Sequence, residues 1–300
     1  MIDRVTSHTQ MRSAQRNLQE NMANLSKLQE QAGTLKAINR PSDDPTAAAA
    51  AMSVRAEIRA TDQYSRNADN GNAWLTTVDS ALSASTNIMN RVRDLTVQGA
   101  NGALSPAAKE AIAVELDGLK EDLLGVANTS YLGRTVFAGS SDAGAAFTRE
   151  DVAGVTTYTS TSNTGSSVSR RIGADTTVRV DADGGAIFGT GGTSVFTLID
   201  TIASNLRDGT PVSDQLTAID DRLSTIIGQR AEMGARLARL ERAQGALLEQ
   251  SGALEAHRSG VEDIDLSQVI LDLKLQEVTY QASLAVTARV LQPTLMDFLR

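Results

Sequence analysis

The chain has 300 residues, with 28 basic against 36 acidic side chains, a net charge of −8, and no cysteine. The length accommodates two domains, or one long molecule carrying an insert, and the lack of cysteine excludes disulfides, thiolate metal sites and cysteine nucleophiles. No basic block is present to attract nucleic acid or an anionic membrane surface, and no apolar run approaches the roughly 20 residues of a spanning helix.

The start of the chain is broken up by Asp3, Arg4, His8, Arg12 and Arg16, so it contains no signal-peptide core. A heptad runs through the first forty residues. Met11, Leu18, Leu25 and Ala32 recur every seven, with Ala14, Asn21, Leu28 and Leu35 as the second set. This period predicts a coiled-coil helix. Asn21 interrupts the apolar set, and one buried polar side chain at such a position fixes register at a cost in stability. The seam has no partner nearby in sequence, and the helix should stop before Pro41.

Arg40-Pro41-Ser42-Asp43-Asp44-Pro45 then reads as a structural loop. Ser42, Asp43 and Asp44 can each cap a helix start, and Pro45 suits a first turn. Helical patterning covers Ala47 to Ile58, and again Leu75, Val78, Leu82, Met89 and Val92 as far as Gly99. Ser105 and Pro106 open a third helix whose apolar face is Ile112, Leu116, Leu119, Leu123 and Val126.

From Gly133 the texture changes to dense Gly, Ser and Thr. Short β-type runs at Thr156–Ser160 and Thr176–Val180 alternate with turn signals at Asn163-Thr-Gly165, Asp183-Gly-Gly185 and Gly189-Thr-Gly-Gly192. Six of the ten aromatic residues (Tyr131, Phe137, Phe147, Tyr158, Phe188 and Phe196) fall between positions 131 and 196. Helix resumes near Ser194, and the longest helix is expected to begin at Thr210-Pro211, with Thr210 as its cap. Leu216, Ile219, Leu223, Ile226, Met233, Leu237, Leu240, Leu247 and Leu254 keep one heptad frame, with Arg230, Gln244 and Ser251 at the skipped positions.

The last segment carries a heptad of Leu266, Ile270, Leu273, Tyr280, Leu284 and Leu291, and a second stripe of Leu271, Leu275, Val278, Ala282 and Val286. A helix with two apolar faces must be covered on both. The expected fold is therefore mainly α: an elongated antiparallel helical or coiled-coil bundle formed by both chain ends, with a small β-rich insert between them. The expected division is into terminal assembly helices at 1–40 and 264–300, a helical bundle at 41–135 and 194–263, and the insert at 136–193. The expected assembly interface is Met11, Leu18, Leu25, Leu28, Leu35, Leu266, Ile270, Leu273, Tyr280, Leu284 and Leu291.

Motifs that could carry chemistry have simpler explanations. His8 and His257 lack cysteines or clustered carboxylates at ligand spacing. Asp181-Ala-Asp183-Gly184 starts like a calcium loop, but the twelfth position is Gly192 and a turn is the better reading. Gly189-Thr-Gly191-Gly192 lacks the Gly-Lys-Ser/Thr ending of a phosphate loop and also reads as a turn. Asp43-Asp44 suits capping better than acid–base work. No catalytic, metal or cofactor residue is assigned, and no enzyme is expected. Asp175, Asp181 and Asp183 are the candidate carboxylates for an adhesive or glycan-acting insert.

Three segments resemble the bacterial flagellin-like family. Ile38-Asn-Arg-Pro-Ser-Asp-Asp-Pro-Thr-Ala-Ala48 is similar to the loop after the first helix of flagellins and their junction homologues. Its Pro41 and Pro45 are closer to the hook-filament junction members, hook-associated protein type 3, than to flagellin. Leu123 to Gly139, around Ala127-Asn-Thr-Ser-Tyr-Leu-Gly133, resembles the family's exit from the helical domain, and Tyr280 to Leu299 resembles its C-terminal segment. The resemblance implies a structural component of the bacterial flagellum, with the terminal helices as an inner tube. It implies as partners flagellin, the neighbouring hook-associated protein, copies of itself in a ring, and an export chaperone on the C-terminal helix. It implies export through the flagellar type III channel without a cleaved peptide, to an extracellular position at the junction. A flagellin proper remains the alternative.

Overall fold

A computed structural model describes residues 2–152, 155–162 and 166–291. The chain divides into two compact units, Met1–Ala60 with Gln250–Arg300, and Thr61–Glu249. These bounds fall inside two long helices, one through residue 60 and one through residue 250.

In the first unit, α1 (Ile2–Thr34) packs against α7 (Leu266–Leu291). The pair is antiparallel: Leu35 meets Ile264 at one end, and Asn21 meets Gln276 and Ser283 further along. The α1 seam therefore has its partner at the far end of the chain, the antiparallel pairing of both chain ends expected from the two unpartnered seams. α1 ends at Thr34 because Leu35 turns to a left-handed backbone (φ 58°), a conformation that helices exit through but do not continue. The heptad reading had kept Leu35 on the helix; it lies one residue past it and is exposed.

The loop to α2 (Pro45–Gly99) is closed by its own carboxylates. Asp43 accepts the backbone N–H groups of Arg40 (2.9 Å) and Asn39 (3.3 Å). Asp44 accepts those of Thr46 and Ala47, both at 2.9 Å, and so caps α2 with Pro45 in the first turn. α2 is one continuous helix of 55 residues and the longest of the described elements. Its middle escaped the pattern because the buried face there is small and partly polar: Thr61, Ala68 and Gly71. A Cβ on Gly71 would press on Val180 and Leu240 at 3.2 and 3.3 Å.

In the second unit, α3 (Pro106–Ala127) is capped by Ser105, and Ile112, Leu116 and Leu123 are buried. Asn128 then ties the helix end to the strands that follow. Its side-chain oxygen accepts the N–H groups of Ala146 (2.8 Å) and Phe147 (2.9 Å), and its amide donates to the Phe147 carbonyl. Three antiparallel hairpins come next: β1 (Ser130–Tyr131) with β2 (Arg134–Thr135), β3 (Phe147–Val152) with β4 (Val155–Ser160), and β5 (Ser169–Arg171) with β6 (Thr177–Arg179). They form no common sheet. The turn signal at 163–165 lies outside the described residues.

Asp183-Gly-Gly185, read as a hairpin turn, instead opens a short helix, α4 (Gly184–Phe188), capped by the Asp183 side chain. The Gly189–Gly192 stretch leads into one 3₁₀ turn at Gly191–Thr193. α5 (Val195–Arg207) follows, with Ser194 as cap. Thr210 does not cap the next helix. Its N–H closes on the Asn205 carbonyl at 2.8 Å, past a left-handed Gly209 (φ 73°), so Thr210 belongs to the end of α5. α6 (Gln215–Glu262) starts five residues later.

The aromatic residues gathered in the middle of the chain form the centre of this unit. Phe137, Phe147, Phe188 and Phe196 make edge and stacked contacts with ring centroids 5.2–6.0 Å apart, and Tyr158 packs on Phe196 at 5.1 Å. They join α2, α3, α5 and α6 side chains in one hydrophobic cluster. Two of the three polar positions skipped by the α6 heptad pair with α2: Arg230 with Asp79 at 2.8 Å, and Gln244 with Asp69 at 2.8 Å.

Candidate assembly surface

Along the seam between the terminal helices, Leu18, Leu25 and Leu28 of α1 are half-buried, as are Leu273 and Tyr280 of α7. A polar layer crosses the middle. The Asn21 amide donates to the Ser283 hydroxyl (2.8 Å), and the Gln276 amide donates to the Asn21 backbone carbonyl (3.1 Å) and side-chain oxygen (3.2 Å). A shift by one turn would break these bonds in a half-buried setting, so the layer specifies register.

The seam near the loop is locked by backbone as well as charge. Ala37 N–H donates to the Glu262 carbonyl at 2.7 Å, and Lys36 bridges Asp263 in antiparallel fashion. Glu262, 4% exposed, accepts from Arg55 on both oxygens, at 2.5 and 2.6 Å. The Arg55 hydrogen bond holds the Glu262 carboxyl below the usual range, against the opposing effect of burial. Bonding to the Arg40 N–H, the largest effect, likewise holds Asp43 low.

Several predicted interface residues do not lie in the α1–α7 seam. Met11, Leu35, Leu266, Ile270 and Leu284 are exposed. The side chain of Leu291 lies outside the described residues. The α7 face turned toward α1 instead follows Val269, Leu273, Gln276, Tyr280 and Ser283. Its 3–4 spacing was present in the sequence but masked by its polar members. The second stripe is left open: Leu271, Leu275, Val278 and Val286 are 64%, 70%, 65% and 59% exposed. Each of these would contribute about 1.5–3 kcal/mol on full burial. An open aliphatic stripe on a helix already paired along another face is an arrangement for joining to further chains.

The carboxylates held in reserve for an adhesive or glycan-acting insert do not converge. Asp181 is buried, bonded to Arg179 and to the Val168 N–H, while Asp183 caps α4 and Asp175 is exposed. Among the described residues no group of three His, Asp or Glu side chains is placed to hold a metal, and no helix is long and apolar enough to cross a membrane.

The fold is that of a helical chain whose two ends pair and leave an aliphatic stripe of α7 exposed. Residues 5–142 match the bacterial flagellin N-terminal helical region, and residues 216–299 match the bacterial flagellin C-terminal helical region. The chain belongs to the bacterial flagellin family and is a flagellar structural protein. It is 27% identical to a flagellar filament 33 kDa core protein from Treponema phagedenis, over 94% of this chain and 93% of that one. Its fold is similar to that of a flagellar hook-associated protein from Vibrio parahaemolyticus (TM-score 0.67, 24% identity, 74% of this chain and 100% of that one). It is also similar to flagellar hook-associated protein-3 from Legionella pneumophila (TM-score 0.62, 16% identity, 69% and 98%).

Proposed function

We propose that the chain is the subunit of the hook-filament junction, joining a hook-associated protein on one side to flagellin on the other, with copies of itself arranged in a ring. The observation that carries this reading is the loop Arg40-Pro41-Ser42-Asp43-Asp44-Pro45. Its prolines resemble the junction members of the family, and Asp43 and Asp44 fix its course by four backbone hydrogen bonds. In this reading segments 1–40 and 264–300 form the inner tube, 41–135 with 194–263 form the helical bundle, and 136–193 is the variable part. The subunit leaves by the flagellar export route without a cleaved peptide, escorted by a chaperone on its C-terminal helix. The alternative, a filament subunit, is supported by the 27% identity to a filament core protein over 94% of this chain.

The two readings part on the phenotype of a deletion strain. Loss of a junction subunit leaves hooks intact while flagellin is exported and accumulates in the medium. Leu275→Asp with Val278→Asp should copy that phenotype, because both side chains are exposed in the isolated chain and the variant keeps its fold. Filaments that persist without the protein would overturn the proposal.

A further inference from the structure

A cavity of about 580 Å³ lies within the first unit, beside the loop that follows α1. Its apolar lining comes from Ile38, Pro41, Ala48, Ala51 and Met52, and Met52 is 62% exposed. Lys36, Arg40 and Arg55 line it as well. A second cavity of about 350 Å³ shares Lys36, Arg55 and Glu262 with the first and adds Arg59 and Arg258. Glu262 and Asp263 line these cavities too, and Arg55 is held by Glu262, Arg40 by Glu30 (3.4 Å) and Arg258 by Glu255 (2.9 Å), so the apolar floor is left beside Lys36 and Arg59 as the cations outside these pairs. It calls for an occupant with apolar side chains next to a carboxylate. A flexible, polarizable methionine is suited to mould around such a group.

We propose that this groove receives residues 292–300 of a second copy of the chain, a step that rests on the reading that copies of this chain assemble together. The segment reads Gln292-Pro-Thr-Leu-Met-Asp-Phe-Leu-Arg300, placing Asp297 among Leu295, Met296, Phe298 and Leu299. The same chain cannot supply it. The groove lies at the Leu266 end of α7, and 26 helical residues carry the chain about 39 Å away from it. Nine residues, fully extended, return at most about 32 Å. The groove and the Leu291 end of α7, from which the segment departs, therefore lie at opposite ends of one helix pair. A contact between them is head-to-tail, and such contacts build rings where the rotation closes and helical assemblies where it does not.

The test is fluorescence polarization with a labelled peptide of residues 292–300 added to the full chain. Saturable binding is expected. It should weaken about tenfold or more in Met52→Asp, and similarly when Asp297→Lys is made in the peptide. Met52 is exposed, so the variant is expected to fold, and far-UV circular dichroism identical to the parent checks this. Absence of saturable binding, equal binding to folded Met52→Asp, or equal binding of a scrambled peptide would overturn the proposal. Binding only of the corresponding peptide from flagellin would also overturn it, since the occupant would then be another protein. None of these outcomes depends on where along the flagellum the protein sits, so failure of the groove and failure of the junction reading are separable.

Discussion

Asp200→Asn tests how the buried cation of Lys120 holds elements of the second unit together. Asp200 on α5 accepts from Lys120 on α3 (2.6 Å) and from the Tyr158 hydroxyl on β4 (2.9 Å), joining two helices and a hairpin. Asparagine keeps the size of the side chain and removes its charge. Lys120, 7% exposed, is then left with Asp117 at 3.4 Å. Stripping a partner from a fully buried pair costs about 3–5 kcal/mol. The Asp200 side chain is 29% exposed and Asp117 remains, which reduces the cost to about 1.5–2.5 kcal/mol. For a unit of this size that lowers the melting temperature by about 3–10 °C.

Near-UV circular dichroism of the single, buried Trp74 reports the transition of this unit. Burial acts to lower the Lys120 pKa, but the bonds and charges of Asp200 and Asp117 outweigh it, and the net shift is upward. A raised lysine contributes stability that is present below its unfolded pKa and fades as pH rises through the higher folded value. That alkaline loss should shrink in Asp200→Asn. Replacing all three groups, with Lys120→Met, Asp200→Leu and Tyr158→Phe, should recover most of the stability. A shift below about 1 °C in the single variant, or a gain, would refute the reasoning.

Three further outcomes follow from the geometry. Glu262 has a lowered pKa, so its pairing with Arg55 contributes above the unfolded glutamate value and is lost as pH falls through the folded one. Amide exchange at Ala37, whose N–H donates to the Glu262 carbonyl, should accelerate across that acid range in the parent and show no such step in Glu262→Gln. In Gly184→Ala the new Cβ would sit 2.7 Å from the Phe137 carbonyl oxygen and 3.0 Å from the Phe147 ring. A loss of about 1–3 kcal/mol should appear in thermal melts. Asn21→Leu should strengthen the α1–α7 pairing yet loosen its register. Engineered cysteine pairs across the seam, in a chain that otherwise has none, should cross-link in one register in the parent and in several in the variant.

What the sequence made legible was local or periodic. Asp44 with Pro45, and Ser105 with Pro106, marked helix starts because capping needs just a few adjacent residues. The α6 frame was readable because Ile219, Ile226, Met233 and Leu240 repeat along one buried face. The middle of α2 was not, since Thr61, Ala68 and Gly71 bury a face with almost no hydrophobic signal. Thr210-Pro211 looked like a helix start because a threonine before proline also ends a helix, and the left-handed Gly209 decides which. At the assembly surface Asn21 stood out as polar in an apolar frame, but its partners Gln276 and Ser283 lie more than 250 positions away. The Arg55–Glu262 pair escaped for the same reason. Which apolar stripe of α7 faces α1 depended on that long-range pairing, so the heptad alone did not separate Leu273 and Tyr280, half-buried in the seam, from Leu266, Ile270 and Leu284, which stay exposed in the single chain.

The central claim, that this flagellin-family chain is a junction subunit, is tested most directly by immunogold electron microscopy of isolated flagella with an antibody against the protein. Label confined to a short zone between hook and filament, at a few copies per flagellum, is the predicted result. Label distributed along the whole filament would contradict the claim and make the chain a filament subunit.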